Sequence, residues 1–221
     1  MKKVIIMTVV IIITFMLTDC QIESDEVKRE MTKDSISLVD DGKNKYFVST
    51  DTGEIMSAKY EDAYLFESQN SYSRVKKDGK WGIVDSSFNE VIPFEYDYIN
   101  EIPYVYTRVT GVRNGIAVII RIMCGEESSM VEMDKYSQIG EMYNDWFCFV
   151  ANENGTGIVD YNGTDLLQAN YKKLSIAKWL DLDTCIISTQ SWKGDYGAVL
   201  FKKGEVYEMI EPTHKNELSF D

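Results

Sequence analysis

Side chains suited to nucleophilic or soft-metal chemistry are scarce in this chain: four cysteines and one histidine in 221 residues. His214 lies in the polar C-terminal stretch, so no multi-histidine relay or His-rich metal site can be built. Setting Cys20 aside, Cys124, Cys148 and Cys185 sit in or beside apolar runs, as in Phe147-Cys148-Phe149. They read as small buried hydrophobes with at most one internal bridge. The chain carries no phosphate-binding glycine loop ending in Lys-Ser/Thr, no H-E-x-x-H, no G-x-S-x-G and no C-x-x-C. Carboxylates are plentiful, and a glycosidase needs two of them, but 36 acids scattered over the chain single out no pair. Asn152 to Thr156 reads as a polar turn, because position twelve of a calcium loop would be Gly163 in place of a bidentate glutamate. The expectation is a non-enzyme with no catalytic residue, no metal and no cofactor.

Charge and aromatic rings point to binding. The 36 acids face 23 bases for a net charge of −13, which repels phosphate backbones, excludes nucleic acid as a partner and favours a basic or neutral one. Tyr72, Tyr98, Tyr104, Tyr106, Trp179 and Trp192 are candidates for exposure. Of these Tyr104, Tyr106 and Trp192 fall outside the repeat described below and are the expected ligand contacts.

The N-terminus has the outline of an export leader. Lys2 and Lys3 precede an apolar stretch from Val4 to Leu17, and charge returns at Asp19. Fourteen helical residues cover about 21 Å, short of the roughly 30 Å of a hydrocarbon core. Leu17-Thr18-Asp19-Cys20 resembles the bacterial lipobox, which implies lipid attachment at Cys20. Asp19 departs from the small residue usual before that cysteine, so an uncleaved anchor and plain secretion stay open beside the lipid-anchored reading. All three place the chain on the extracytoplasmic side. Residues 1–19 are thus expected to be the leader and 20–37 a charged tether, ahead of a repeat domain over 38–212 and a polar tail over 213–221.

Asp78-Gly79-Lys80-Trp81-Gly82-Ile83-Val84-Asp85 is followed by Glu90-Val91-Ile92-Pro93 and by Glu95-Tyr96-Asp97-Tyr98. Thr156-Gly157-Ile158-Val159-Asp160 repeats the opening, and Tyr171 follows Thr156 at the distance Tyr96 follows Trp81. Tyr196-Gly197-Ala198-Val199 is a third copy. Tyr46, Trp81, Ile116, Thr156 and Tyr196, taken as equivalent, are spaced by 35, 35, 40 and 40 residues, a period typical of stacked supersecondary units. Side chains alternate along such a strand, so Gly82 leaves a gap that a neighbouring sheet or ring can enter. Pro93 belongs at a strand end or sheet edge, Asn162-Gly163 suits a tight hairpin with positive φ, and Asn89 suits the left-handed position where other copies carry Gly53 or Gly204. These segments resemble the WG-repeat family. That resemblance implies an interaction role and no single activity.

No stretch keeps a helical period for three turns, whereas branched and aromatic strand-like runs recur throughout. The predicted fold is all-β: about five repeats in a small propeller-like array, with an open stack of hairpins as the alternative. The predicted role is a membrane-tethered, non-catalytic module for a protein or cell-envelope ligand. A glycan hydrolase using paired carboxylates and an immunity-type lipoprotein neutralising a basic toxin are the rival readings.

Overall fold

The computed structural model describes residues 36–66, 72–102, 108–123, 126–203 and 205–213. The leader, Cys20, the tether up to residue 35, Tyr104, Tyr106, Cys124, Gly204 and His214 lie outside these residues. Every regular element among the described residues is a β-strand, and the chain divides into two compact units, Met1–Lys59 and Tyr60–Asp221.

In the first unit β1 (Ile36–Asp40) pairs antiparallel with β2 (Lys45–Ser49), and Val48 makes an isolated bridge to Ile55. Phe47 is wholly buried. The Asp41 carboxylate accepts from the N–H groups of Lys43 and Asn44 and pairs with Lys59 at 3.0 Å. Those contacts, led by the Asn44 N–H, lower its pKa to about 2. Among the described residues the copy phased on Tyr46 is therefore a two-stranded sheet with one added bridge.

The second unit is four consecutive four-stranded antiparallel sheets. The first contains β3 (Asp62–Ala63), β4 (Ser73–Lys77), β5 (Lys80–Val84) and β6 (Glu90–Tyr96). The second contains β7 (Tyr98–Ile99), β8 (Arg108–Arg113), β9 (Ile116–Met123) and β10 (Glu126–Met133). The third contains β11 (Gln138–Ile139), β12 (Phe147–Asn152), β13 (Gly155–Asp160) and β14 (Asp165–Tyr171). The fourth contains β15 (Lys173–Asp181), β16 (Thr184–Gln190), β17 (Tyr196–Lys202) and β18 (Glu205–Thr213). Each pairs in simple sequence order, the meander of a propeller blade. The fold is all-β and propeller-like, and the sheets begin 36, 40 and 35 residues apart.

Neighbouring sheets share cores. Trp81, Ile83, Ile92 and Tyr96 of the first sheet meet Val109, Val118, Ile120 and Ile122 of the second. Ala117, Ile119 and Met133, on the second sheet's other face, meet Ile139, Cys148, Val150 and Val159 of the third. Phe147 and Ile158, on the third sheet's far face, meet Leu174, Cys185, Ile187, Val199 and Phe201 of the fourth. The alternation of strand side chains thus feeds two cores from one strand: Val118 and Ile120 go one way, Ala117 and Ile119 the other. Buried polar bonds cross the same junctions. Arg74 Nη1 donates to Ile99 O at 3.1 Å, and Asn100 Nδ2 to Thr110 Oγ1 at 2.8 Å and Ile139 O at 3.0 Å.

In the second unit Trp81, Ile116, Thr156 and Tyr196 all lie on the third strand of their sheets, with one shift of phase. Lys77 pairs with Lys80 around Asp78-Gly79 and Arg113 pairs with Ile116 around Asn114-Gly115, all four turn residues at positive φ. Ile116 therefore corresponds to Lys80, and the counterpart of Trp81 is Ala117. The equal spacings to Tyr96 and Tyr171 have a direct cause, since Trp81 pairs with Tyr96 and Thr156 with Tyr171 across the ladder.

The gap at Gly82 is filled from within its own sheet. Ile83 pairs with Ile92 while Trp81 pairs with Tyr96, so Pro93, Phe94 and Glu95 bulge past one glycine. A Cβ on Gly82 would lie 2.8 Å from Ile92 O and 3.0 Å from the Phe94 ring. Gly157 is under the same constraint, with Leu167 O at 2.6 Å and Ala169 N at 2.7 Å. Gly197 also faces a register shift, between Tyr196↔Thr213 and Ala198↔Ile210. In the second sheet the position is Val118, and there the ladder from Ala117 to Arg121 is unbroken. Pro93 sits in such a bulge on the edge strand, where no ladder bond is lost.

The turn closing β5 onto β6 is held by Asp85, whose Oδ1 accepts from Ser87 N at 2.9 Å and Asn89 N at 2.8 Å. Asp160 holds the β13–β14 turn the same way through Asn162 and Thr164. The left-handed residue opposite Gly163 (φ 79) is Phe88 (φ 64), not Asn89, whose side-chain amide donates to Asp85 Oδ2. Gly157→Ala is expected to destabilise the protein by about 1–3 kcal/mol, because the obstructing atoms are backbone. Urea denaturation measures it, and an unchanged midpoint would separate the glycine from the bulge.

Candidate recognition site

Each sheet is entered through a linker residue whose backbone N–H bonds the second strand: Glu61, Asp97, Ser137 and Lys172. In the first two sheets this residue is an acid that reaches forward to the next hairpin turn. Glu61 Oε1 accepts from Gly79 N at 3.0 Å and Asp97 Oδ2 from Gly115 N at 2.8 Å. Asp97 also pairs with Lys80. The Lys80 bond, followed by that from Gly115, holds the Asp97 carboxyl below its ordinary value.

In the third sheet the linker residue is Ser137, with no carboxylate to extend. The turn N–H corresponding to Gly79 and Gly115 is that of Asn154, which donates locally to Asn152 Oδ1 at 2.9 Å. The place an acid occupies in the earlier sheets opens here into a groove of ≈ 490 Å³, lined by residues 134–137, residues 152–154 and Gly115. Its walls are fixed. Lys135 pairs with Asp165 at 2.5 Å, Tyr136 Oη donates to Asp165 Oδ1 at 2.7 Å, and Asn152 Nδ2 donates to Lys135 O at 2.9 Å. Burial and the Asp165 bond push the Tyr136 phenol up, so it stays a neutral donor. Asp134 and Glu153 form no ion pair among the described residues.

Trp192 stands beside this groove. The residue is 61% exposed, and its Nε1 donates to Asn154 O at 3.1 Å. The turn that carries it is locked by Ser191 Oγ, which accepts from Lys193 N and Asp195 N. An aromatic ring held by a hydrogen bond and left open to water is a ready contact surface.

A second aromatic group surrounds the β11–β12 connection. Asn144 and Asp145 both take positive φ (49 and 52). Asp145 pairs with Arg108, whose guanidinium lies 4.7 Å from the Tyr161 ring centroid. Trp146 packs at its edge on Phe147 and faces Trp179 at 6.3 Å. The buried Asp145 Oδ1 and Trp146 Nε1 have no hydrogen-bond partner. Nearby, the β15–β16 hairpin exposes Leu180 and Leu182.

Of the sequence-predicted contacts, Trp192 is exposed at the groove, and Tyr104 and Tyr106 lie outside the described residues. Tyr98 and Trp179 are exposed; Tyr72 is instead half-buried against the first shared core. Trp81 and Tyr96 are buried, Tyr171 and Tyr196 partly so, and the Tyr196 hydroxyl accepts from Gln190 Nε2 at 2.9 Å. Cys148 and Cys185 are free and buried, and burial pushes both thiols up, Cys185 to about 12, which leaves them unreactive. Asp134 and Ser137 escaped the sequence, which shows Glu153 and Asn154 only as part of a polar turn. The available signal was the shared eighteen-residue spacing of Glu61 to Gly79 and Asp97 to Gly115, which has no acid at its start in the third sheet.

The turn, glycine and bulge pattern invites comparison with known repeats. Residues 47–81 and 81–102 match the WG containing repeat. The matched WG segments include the Trp81-Gly82 strand, its bulged partner and the linker acid Asp97. No curated protein matches the chain. Among solved structures it is similar to a eukaryotic initiation factor, at 9% identity and TM-score 0.46 over 79% of this chain and 51% of that one. It is also similar to Kluyveromyces lactis Hsv2 with loop 6CD replaced by a Gly-Ser linker, at 12% and 0.46 over 83% and 64%. A third is the N-terminal domain of Nup159, at 11% and 0.40 over 83% and 59%. The chain spans between about half and two thirds of the length of these structures.

A carboxyl depressed by its native contacts stabilises the fold above its unfolded value and loses that stabilisation as pH falls through the native value. Asp97→Asn is therefore expected to cost about 0.5 kcal/mol near neutrality, modest because the pair is part-exposed. The gap to the wild type should close on acidification below the ordinary 3.8. Thermal midpoints across that range test it, and a gap independent of pH would assign the loss to something other than the charge.

Proposed function

We propose that the chain is a non-catalytic, repeat-based binding module, tethered to the extracytoplasmic face of a bacterial cell membrane through Cys20, that holds a protein or cell-envelope ligand. The observation that carries the binding role is the Ser137 groove with Trp192 beside it, on turns that the sheet cores leave free to vary. The WG repeats support the same reading, because such repeats present turns and edges rather than a preformed reaction centre. The tether rests on the leader and on Leu17-Thr18-Asp19-Cys20.

A glycan-hydrolase reading has one observation in its favour, since Asp134 and Glu153 line the same groove. Affinity capture with the C-terminally tagged full-length chain, at low and at high salt, separates the two. One dominant partner recovered at low salt is expected, and turnover of an envelope glycan that Glu153→Gln abolishes would replace binding with hydrolysis. For the anchor, metabolic labelling with a fatty-acid probe is expected to mark the wild type and not Cys20→Ala. Equal labelling of the two would remove the lipid attachment.

A further inference from the structure

The groove at Ser137 is the place where the linker pattern breaks, and its chemistry is one-sided. Lys135, the cation in its wall, is already paired with Asp165, whereas the Asp134 and Glu153 carboxylates have no ionic partner among the described residues. The chain as a whole carries a net charge of −13, which raises the local concentration of cations at such a site. At ≈ 490 Å³ the groove has the size of a small-ligand pocket.

Trp192 narrows the choice further. Its only polar hydrogen is spent on Asn154 O, so what the ring offers a partner is its face. The face of an indole is the negative end of its quadrupole and the strongest side-chain site for a cation. A planar guanidinium can stack on such a ring and still offer its edge donors to carboxylates. Because Asn154 both accepts the indole bond and lines the groove, ring and groove form one surface.

We infer that this surface takes a lysine or arginine side chain carried by a basic protein segment, with Asp134 and Glu153 as counter-charges and Trp192 as the stacking wall. The inference rests on the binding-module reading and names the class of partner for it. A protein segment is favoured over a free small cation because the groove is open along the turns of two sheets and is continuous with an exposed ring on a third.

The test uses the full-length chain and a fluorescein-labelled hexa-arginine peptide, followed by anisotropy at low and high salt. Trp192→Ala and the double variant Asp134→Asn/Glu153→Gln are each expected to raise Kd about tenfold. Trp192→Phe, which keeps a ring, should restore most of the binding. Glu90→Gln/Glu101→Gln removes the same charge from other exposed positions and should cost no more than about twofold. Circular dichroism melting confirms that the variants fold. Equal losses from the two double variants would reduce the effect to diffuse charge and overturn the site. So would hexa-arginine binding that ignores Trp192→Ala, or tighter binding of a neutral chitin-type oligosaccharide than of the peptide. If affinity capture yields a partner that the groove variants do not release, the binding module stands and this site falls. If neither partner nor peptide binds, both fall together.

Discussion

Apolar side chains on both faces of one sheet are the condition that everything else in the second unit answers to. A strand such as β9 sends Val118, Ile120 and Ile122 to one side and Ala117 and Ile119 to the other, so the sheet must be covered twice. Only a neighbour of the same kind supplies that cover, and each shared core is assembled from two sheets. None of the inner sheets can therefore shield itself from water, and the array is cooperative between nearest neighbours. Burial claims the strands and spares their turns, where sequence can change at little cost to the cores.

Repetition supplies its own controls. Three third strands carry glycine with a bulge of the fourth strand opposite it, while Val118 sits in an unshifted stretch of ladder from Ala117 to Arg121. Likewise, two of the four linkers carry an acid that bonds the following turn; Ser137 and Lys172 do not, and a groove lies at Ser137. Each exception isolates what the rule does. Glycine admits the backbone of its own sheet, and the linker acid closes the space between consecutive turns.

Much of the architecture was legible because strand alternation and turn chemistry are local. Trp81 and Tyr96 announced their pairing by a spacing that a tight turn plus a bulge dictates. The phase of β9 was misjudged by one residue, since without the glycine only the Asn114-Gly115 turn fixes it, and one step in a strand reverses every side chain. Phe88 in a left-handed conformation was also hidden, because the Asp85 carboxylate, not the residue's own preference, sets that backbone. The groove was invisible for a stronger reason. It is made by Gly115, residues 134–137 and residues 152–154, with Trp192 bonded to its edge, and only the packing of three sheets brings these together.

Contiguity along the chain has a mechanical side. Among the described residues every sheet is built from strands consecutive in the chain, and no strand is exchanged between sheets. Traction on an end of the chain would strip the terminal sheet whole, unzipping it rung by rung, while the next one still held its shape. Under load such a body yields in instalments, each the length of a single repeat.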